Sequence, residues 1–156
     1  MAVRLLSLVD NLARLELRRY IHHGVLDRGA MEKRTRELLT QFDVRPALPR
    51  TPYGLLSGGN QQKALLAKWL QFQPKVLLLH EPTQGVDVGA RQEIFRLLRD
   101  TATSGSAIVC ASTDYEQLAQ LCDRVLVLRR GVVVGELTGT AITQERLAAM
   151  SYGGEG

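Results

Sequence analysis

Apolar residues recur at helical spacing through the first 72 positions, and then the rhythm changes. Leu5, Leu8 with Val9, Leu12 and Leu15 form one stripe, and Met31, Leu38, Leu39 and Phe42 form a second. Asp27 and Asp43 stand where a helix starts or stops, and Arg45-Pro46-Ala47-Leu48-Pro49-Arg50-Thr51-Pro52 is a proline-broken connector. Ser57 is placed to cap a third helix running to about Gln71, with Leu65, Leu66, Trp69 and Leu70 facing inward. Beyond Pro74, residues 76–79 are continuously apolar, which suits a strand buried on both faces of a parallel sheet.

A helix follows from about residue 88 to 101, with Ile94, Leu97 and Leu98 on one side. Residues 107–111 read as a strand, 115–122 as a short helix and 124–128 as another strand. Arg129-Arg130-Gly131 is a turn signal into 132–136, so these last two strands should form a hairpin. Residues 143–150 suit a terminal helix capped by Thr143, and 151–156 should fray. The alternation of strand and helix argues for an α/β layer with right-handed crossovers. The expected organisation is a helical part over 1–73, a mixed part over 74–138, and a terminal helix and tail over 139–156.

Composition narrows the class. The 156 residues are 45% hydrophobic and 23% charged, enough for one domain with a core and too apolar for disorder. The net charge of +4 is concentrated early, where residues 1–50 hold ten Lys and Arg against six Asp and Glu. Arg18-Arg19 and Lys33-Arg34 lie among acids without interleaved aromatics, so they read as a solvated helical face and not as a nucleic-acid surface. Cys110 and Cys122 lack CxxC or CxxH spacing, which suits structural thiols in a reducing compartment. The N-terminus is too charged for a signal peptide, and no apolar run approaches the ~20 residues that span a bilayer.

The residues with most chemistry are Leu56-Ser57-Gly58-Gly59-Asn60-Gln61-Gln62-Lys63, directly before a helix. A helix start leaves several backbone N–H groups unpaired and carries partial positive charge. Without side chains at Gly58 and Gly59 a phosphate can approach the backbone, and the Ser57 hydroxyl can donate to it. For Ser-Gly-Gly alone, a plain serine cap after a loop explains the same residues.

The combination is more specific. LSGGNQQK precedes an apolar strand that ends in Glu81-Pro82-Thr83, then Gly85-Val86-Asp87-Val88-Gly89-Ala90-Arg91 and, later, CDRVLVLRRG. With these motifs the chain resembles the nucleotide-binding subunits of ABC transporters, most closely the second cassette of bacterial carbohydrate importers of the ribose, galactose or xylose type. The resemblance runs from about Val3 to Met150 and is strongest over 54–136. It implies a partial P-loop NTPase fold, α/β in class: a helical signature subdomain followed by an incomplete, mainly parallel sheet with helices.

The resemblance also implies roles. Ser57, Gly58 and Gly59 match the signature loop, which closes over the γ-phosphate of an ATP held by the opposite cassette, and Gln61 lies where the signature helix approaches that nucleotide's ribose. Glu81 matches the catalytic carboxylate that orients and deprotonates the attacking water. Residues 85–89, with Asp87, match the D-loop at the interface between cassettes, and Thr113 takes the switch position usually held by histidine. His80 stands where Walker B normally carries an Asp, so no metal ligand is assigned: magnesium prefers hard oxygen donors. Among the lysines, Lys33, Lys63, Lys68 and Lys75 follow Glu, Gln, Ala and Pro, so the 156 residues contain no GxxxxGK[ST] phosphate loop.

The chain is therefore expected to be truncated before Walker A, inactive alone, and marginal or partner-dependent as a fold because a central strand is missing. The implied cofactors are ATP and Mg2+, held mainly by a partner cassette. The implied partners are a second ABC cassette, membrane permease subunits and a sugar-binding protein, with the chain cytoplasmic and peripheral at the inner membrane face. The alternative is a non-catalytic module that docks on an intact cassette or permease and supplies the signature loop in trans. An ABC-type ATPase of DNA repair or translation is disfavoured, since no long coiled coil brackets the signature.

Overall fold

The computed structural model describes residues 2–153. The expected fraying of the tail concerns in part residues 154–156, which lie outside the described residues. Six α-helices occur among the described residues: α1 (Leu8–Ala13), α2 (Arg28–Gln41), α3 (Gly58–Leu70), α4 (Val88–Thr103), α5 (Tyr115–Leu121) and α6 (Gln144–Tyr152). Each begins after a short polar residue whose side chain accepts the third following backbone N–H: Ser7, Asp27, Ser57, Asp87, Asp114 and Thr143. Such caps satisfy an orphan donor at the helix start and are worth about 1 kcal/mol each.

The described residues form two compact units, one of 2–77 with 83–108 and one of 78–82 with 109–153. In the first, α1, α2, α3 and α4 pack on one another around Leu8, Leu12, Leu38, Leu39, Leu66, Ile94, Phe95 and Leu98. The connector before α3 lies along the N-terminal segment, with Leu8 and Val9 N–H groups donating to the Thr51 and Pro49 carbonyls and Tyr53 N–H to that of Leu6. Buried Asn11 completes this seam: its side-chain amide donates to the carbonyls of Val3, Leu6 and Ser7.

That seam explains a departure from the expected stripe. The chain before Ser7 is bonded to the connector instead of continuing the helix, so Leu5 is 92% exposed. After Ala13 the chain enters 3-10 turns over Arg14–Tyr20 that are kinked at Glu16, where the backbone is not helical, so the helical stripe is broken and Leu15 is 46% exposed. A two-stranded hairpin, β1 (Ile21–His22) with β2 (Val25–Leu26), then appears that the apolar pattern did not announce. Its signal is His23-Gly24, both at positive φ, the conformation of a tight two-residue turn. Trp69, expected inward, is 42% exposed with Lys68 Nζ 5.9 Å from its ring centroid. Because α3 touches α1, α2 and α4, its buried positions go to small or long flexible residues, Ala64, Ala67 and Lys63 among them, that admit close helices.

The strands β3 (Val76–His80) and β4 (Ala107–Ala111) pair with each other. Ala107 N–H donates to the Lys75 carbonyl and Glu81 N–H to that of Ala111, a rising register on both strands and therefore a parallel pair. In the second unit β5 (Arg124–Arg129) and β6 (Val132–Thr138) form the expected antiparallel hairpin, turned by Arg130 and Gly131 at positive φ and bulged between Val127 and Leu128. Leu118, Val125, Val127, Leu137, Ile142 and Leu147 make its core. Of the three ladders described only one is parallel.

Burial on both faces of β3 does not occur. Leu77 is buried, but Val76 and Leu78 are 57% and 74% exposed, so the strand alternates as a half-covered one does. Val109 on β4 is exposed as well. Replacing Leu78 and Val109 by threonine, which keeps β propensity, should reduce concentration-dependent light scattering while changing stability by no more than about 0.5 kcal/mol. Unchanged scattering would show that these faces do not drive self-association.

Candidate functional site

The predicted residues fall into two groups, one in each unit. In the first unit, Ser57 caps α3 and its Oγ accepts from Asn60 twice, from Nδ2 at 2.9 Å and from the main-chain N–H at 3.5 Å. The Asn60 side chain is itself oriented, because its Oδ1 accepts the Arg45 N–H at 2.7 Å. With the Ser57 oxygen engaged as an acceptor, its own proton is the part of the hydroxyl left to donate outward. A cleft of about 340 Å³ opens here, lined by Ser57, Asn60 and Lys63 of α3 and its cap and by Asp87, Ala90 and Glu93 of the next helix.

The two glycines have a second reason to be there. A Cβ on Gly58 would lie 2.7 Å from the Gly85 carbonyl oxygen, and one on Gly59 would lie 2.4 Å from the Ala90 Cβ. The signature loop and the start of α4 approach as closely as backbone allows, so the glycines are fixed by packing within the chain as well as by any requirement of a phosphate. Gly85, at positive φ, provides the turn that brings its carbonyl there.

Gln61 and Asp87 are both engaged locally. The Gln61 side-chain amide donates to the Leu56 carbonyl at 2.8 Å, while its main-chain carbonyl accepts the Tyr53 hydroxyl, which secures the loop leading into the signature. Asp87 caps α4 by accepting the Ala90 N–H at 3.0 Å, so the predicted D-loop residue is also what starts the helix behind it.

In the second unit β3 ends in His80, exposed, and Glu81, which adopts a left-handed backbone conformation with φ of 47°. A non-glycine residue there costs about 1–2 kcal/mol. The turn delivers the carboxylate to the loop after β4, where three donors meet it. Ser112 Oγ donates to Oε2 at 2.7 Å, and the Thr113 N–H and Oγ1 donate to Oε1 at 2.7 and 2.9 Å. The hydrogen bond from Ser112 first, then those from Thr113, hold the Glu81 carboxyl below the usual glutamate range, and the charge of His80 adds a small push in the same direction. Thr113, the predicted switch residue, thus grips the Glu81 carboxylate of the same chain. Nearby, burial raises the Cys110 thiol to about 11, which suits an unreactive thiol.

These arrangements differ in what they fit. The start of α3, with an outward Ser57 hydroxyl and glycine backbone, offers hydrogen-bond donors and the positive end of a helix, chemistry suited to an anion. The described residues contain no group of three or more His, Cys, Asp and Glu side chains that could hold a metal ion, and both Glu81 oxygens accept hydrogen bonds within the chain. Among the described residues no helix is long and apolar enough to cross a membrane. Sequence reasoning assigned no role to Asn60, Lys63 and Ser112. Asn60 and Lys63 stood in the quoted LSGGNQQK and Ser112 directly before Thr113, but their hydrogen bonds to Arg45, Glu93 and Glu81 are long-range and invisible in spacing.

Two outcomes follow from this geometry. Gly59→Ala should destabilise the first unit by about 1–3 kcal/mol in urea unfolding, the usual range for overpacking, and Ala90→Gly should restore part of that loss. No cost from Gly59→Ala would mean that the close approach is not real. Ser112→Ala should move the Glu81 pKa, followed by carbon NMR of the carboxyl, up toward the ordinary 4.5. The sign for stability is that of a depressed carboxylate: the contribution is present above the unfolded pKa and is lost as pH falls through the folded one. The Ser112→Ala variant should therefore lose less stability than the parent on acidification.

Comparison with known proteins agrees with this geometry. Residues 4–84, just over half of the chain, match the family model described as ABC transporter. Over 148 residues the chain is 45% identical to the ribose import ATP-binding protein RbsA 1 of Rhizobium etli, covering 94% of this chain and 29% of that protein. It is 38% identical to the ribose import ATP-binding protein RbsA of Lactococcus lactis, covering 96% and 30%. The chain thus spans less than a third of the length of these relatives. Among solved structures it resembles the dimeric bacterial ABC transporter cassette MJ0796, with a TM-score of 0.70 and 25% identity over 88% of this chain and 58% of that one. It also shares the fold of MJ1267, an ATP-binding cassette of an ABC transporter, with a TM-score of 0.69 and 19% identity over 94% and 59%. The backbone is thus the mixed α/β, P-loop NTPase-like fold of such cassettes, with a helical subdomain and a partial, non-closed sheet, and the chain belongs to the ABC transporter family.

Proposed function

We propose that these residues form part of the second ATP-binding cassette of a carbohydrate importer, where ATP binding and hydrolysis drive sugar uptake. Support for the sugar comes from the relatives named for ribose import. The observation that carries the mechanism is the pairing of an outward Ser57 hydroxyl at the start of α3 with the lack of any GxxxxGK[ST] sequence in the 156 residues. Residues 1–73 act as the signature subdomain and 74–138 as part of the ATPase core.

In this reading the chain serves a nucleotide held by a second cassette. ATP supplies the phosphoanhydride bond whose cleavage drives the cycle. Ser57 donates its proton to the terminal phosphoryl oxygen, and the N–H groups of Gly58 and Gly59 take up its negative charge at the positive end of the helix. Glu81, kept ionised by Ser112 and Thr113, would orient water only for a nucleotide cradled by its own cassette; the 156 residues hold no such phosphate loop, so in this reading it has no phosphate to act on. His80 contributes no carboxylate, so Mg2+ is held by the partner's residues. Permease subunits and a sugar-binding protein complete the system, with the chain at the cytoplasmic face of the membrane. The exposed Leu5, Leu48 and Leu55 favour a second use of the helical part, docking on a permease or cassette without catalysis.

The purified chain should show no ATP turnover above background, and Glu81→Gln should not change that. Mixed with an intact cassette whose own signature serine is replaced, it should restore ATPase activity. Ser57→Ala should cut the restored rate about tenfold or more, as expected for a hydrogen bond to a charged group. Turnover by the chain alone that Glu81→Gln abolishes would overturn the assignment.

A further inference from the structure

Lys63 is a buried charge for which the reading above has no use. Its side chain is 7% exposed, on the inner side of α3, one turn beyond Gly59. The ammonium donates to Glu93 Oε2 on α4 at 2.8 Å and to the main-chain carbonyl of Asp43 at 2.5 Å, with Asp43 Oδ2 3.6 Å away. Burying an ammonium is costly unless its donors are satisfied, so these bonds fix three segments together: the left-handed bend at Asp43, α3 and α4.

The spacing gives the bonds a mechanical consequence. Gly59 touches Ala90, and Lys63 meets Glu93 one helical turn further along both helices. Two contacts a turn apart prevent a hinge where one contact would allow it. Asp43 is held in addition by Arg45, whose Nε donates to Oδ1 at 2.9 Å and whose N–H meets Asn60, so the bend is strapped to α3 from both sides.

We propose that Lys63 is a positioning residue that clamps the signature loop to the D-loop, so that residues 57–61 and 85–91 open and close as one body. The clamp goes beyond the phosphate-binding reading and does not need a nucleotide to exist. Its partners Glu93 and Asp43 have side chains 42% and 48% exposed, so water can solvate them when the lysine is removed, and the fold should survive.

Hydrogen exchange of the full chain tests this. Asn60 and Gln61 amides bond to Ser57, and those of Ala90 and Arg91 bond to Asp87, so these four report on the two loop ends. Lys63→Met should speed exchange at all four together by about tenfold or more, equivalent to about 1.4 kcal/mol of lost local protection. Asn11 of the first unit, whose amide bonds to the Ser7 carbonyl, and Leu147 of the second should stay within twofold of the parent. Lys63→Arg, which keeps the charge and the reach, should restore the protection, and Glu93→Gln should weaken it less than Lys63→Met does. Acceleration at only one of the two loop ends, equal acceleration at Asn11, or no change would overturn the clamp. Tripolyphosphate titration of the parent, read at the Gly58 and Gly59 amides, separates the two ideas: no shift there refutes the phosphate-binding reading and leaves the exchange result to judge Lys63.

Discussion

The first unit's chemistry depends on how near two stretches of main chain come to each other. Gly58 lies against the Gly85 carbonyl and Gly59 against Ala90, at distances that exclude any side chain at either glycine. That approach places the start of α3 beside the start of α4, so two helix ends with their unpaired N–H groups border one cleft. Ser57, Asn60 and Asp87 take their orientations from it, and Lys63 and Glu93 can meet only because the helices are already this close. A glycine-rich signature is usually read as room for a phosphate. Here the same residues are also the joint that holds the loop in place.

The second unit handles its charge differently. Glu81 adopts an unfavourable backbone conformation so that its carboxylate can reach Ser112 and Thr113, and three hydrogen bonds offset the strain. The result is a carboxylate held ionised and oriented. Thr113 spends its hydroxyl and its N–H on the glutamate, and Ser112 adds a third donor, so the turn after β3 and the loop after β4 share one geometry.

Much of the fold was legible because its signals are local. Each capping residue sits three positions before the N–H it accepts, and Arg130-Gly131 turns its hairpin with no help from elsewhere. The stripe Met31, Leu38, Leu39 and Phe42 was inward as its period required. Where the expected cover failed, the neighbours of an element decided it. Trp69 looked more apolar than Lys63, yet the close neighbours of α3 favoured alanines and a paired lysine over a bulky ring. Leu78 looked like a residue buried on both faces of a sheet and is open on one.

The sequence by itself determined where the helices begin, where the hairpin turns, and that LSGGNQQK and the glutamate after an apolar strand belong to an ABC cassette. Those features are written within a few residues or within a motif, so spacing alone reveals them. Only the tertiary structure decided that Asn60 directs the Ser57 hydroxyl, that Ser112 and Thr113 hold Glu81, and that Lys63 ties α3 to α4. Each of those is a short-range force between groups drawn together by folding: Lys63 and Glu93 stand 30 residues apart and Ser112 and Glu81 stand 31 apart. A hydrogen bond acts over about 3 Å, and no residue pattern states which distant atoms folding will bring within that reach.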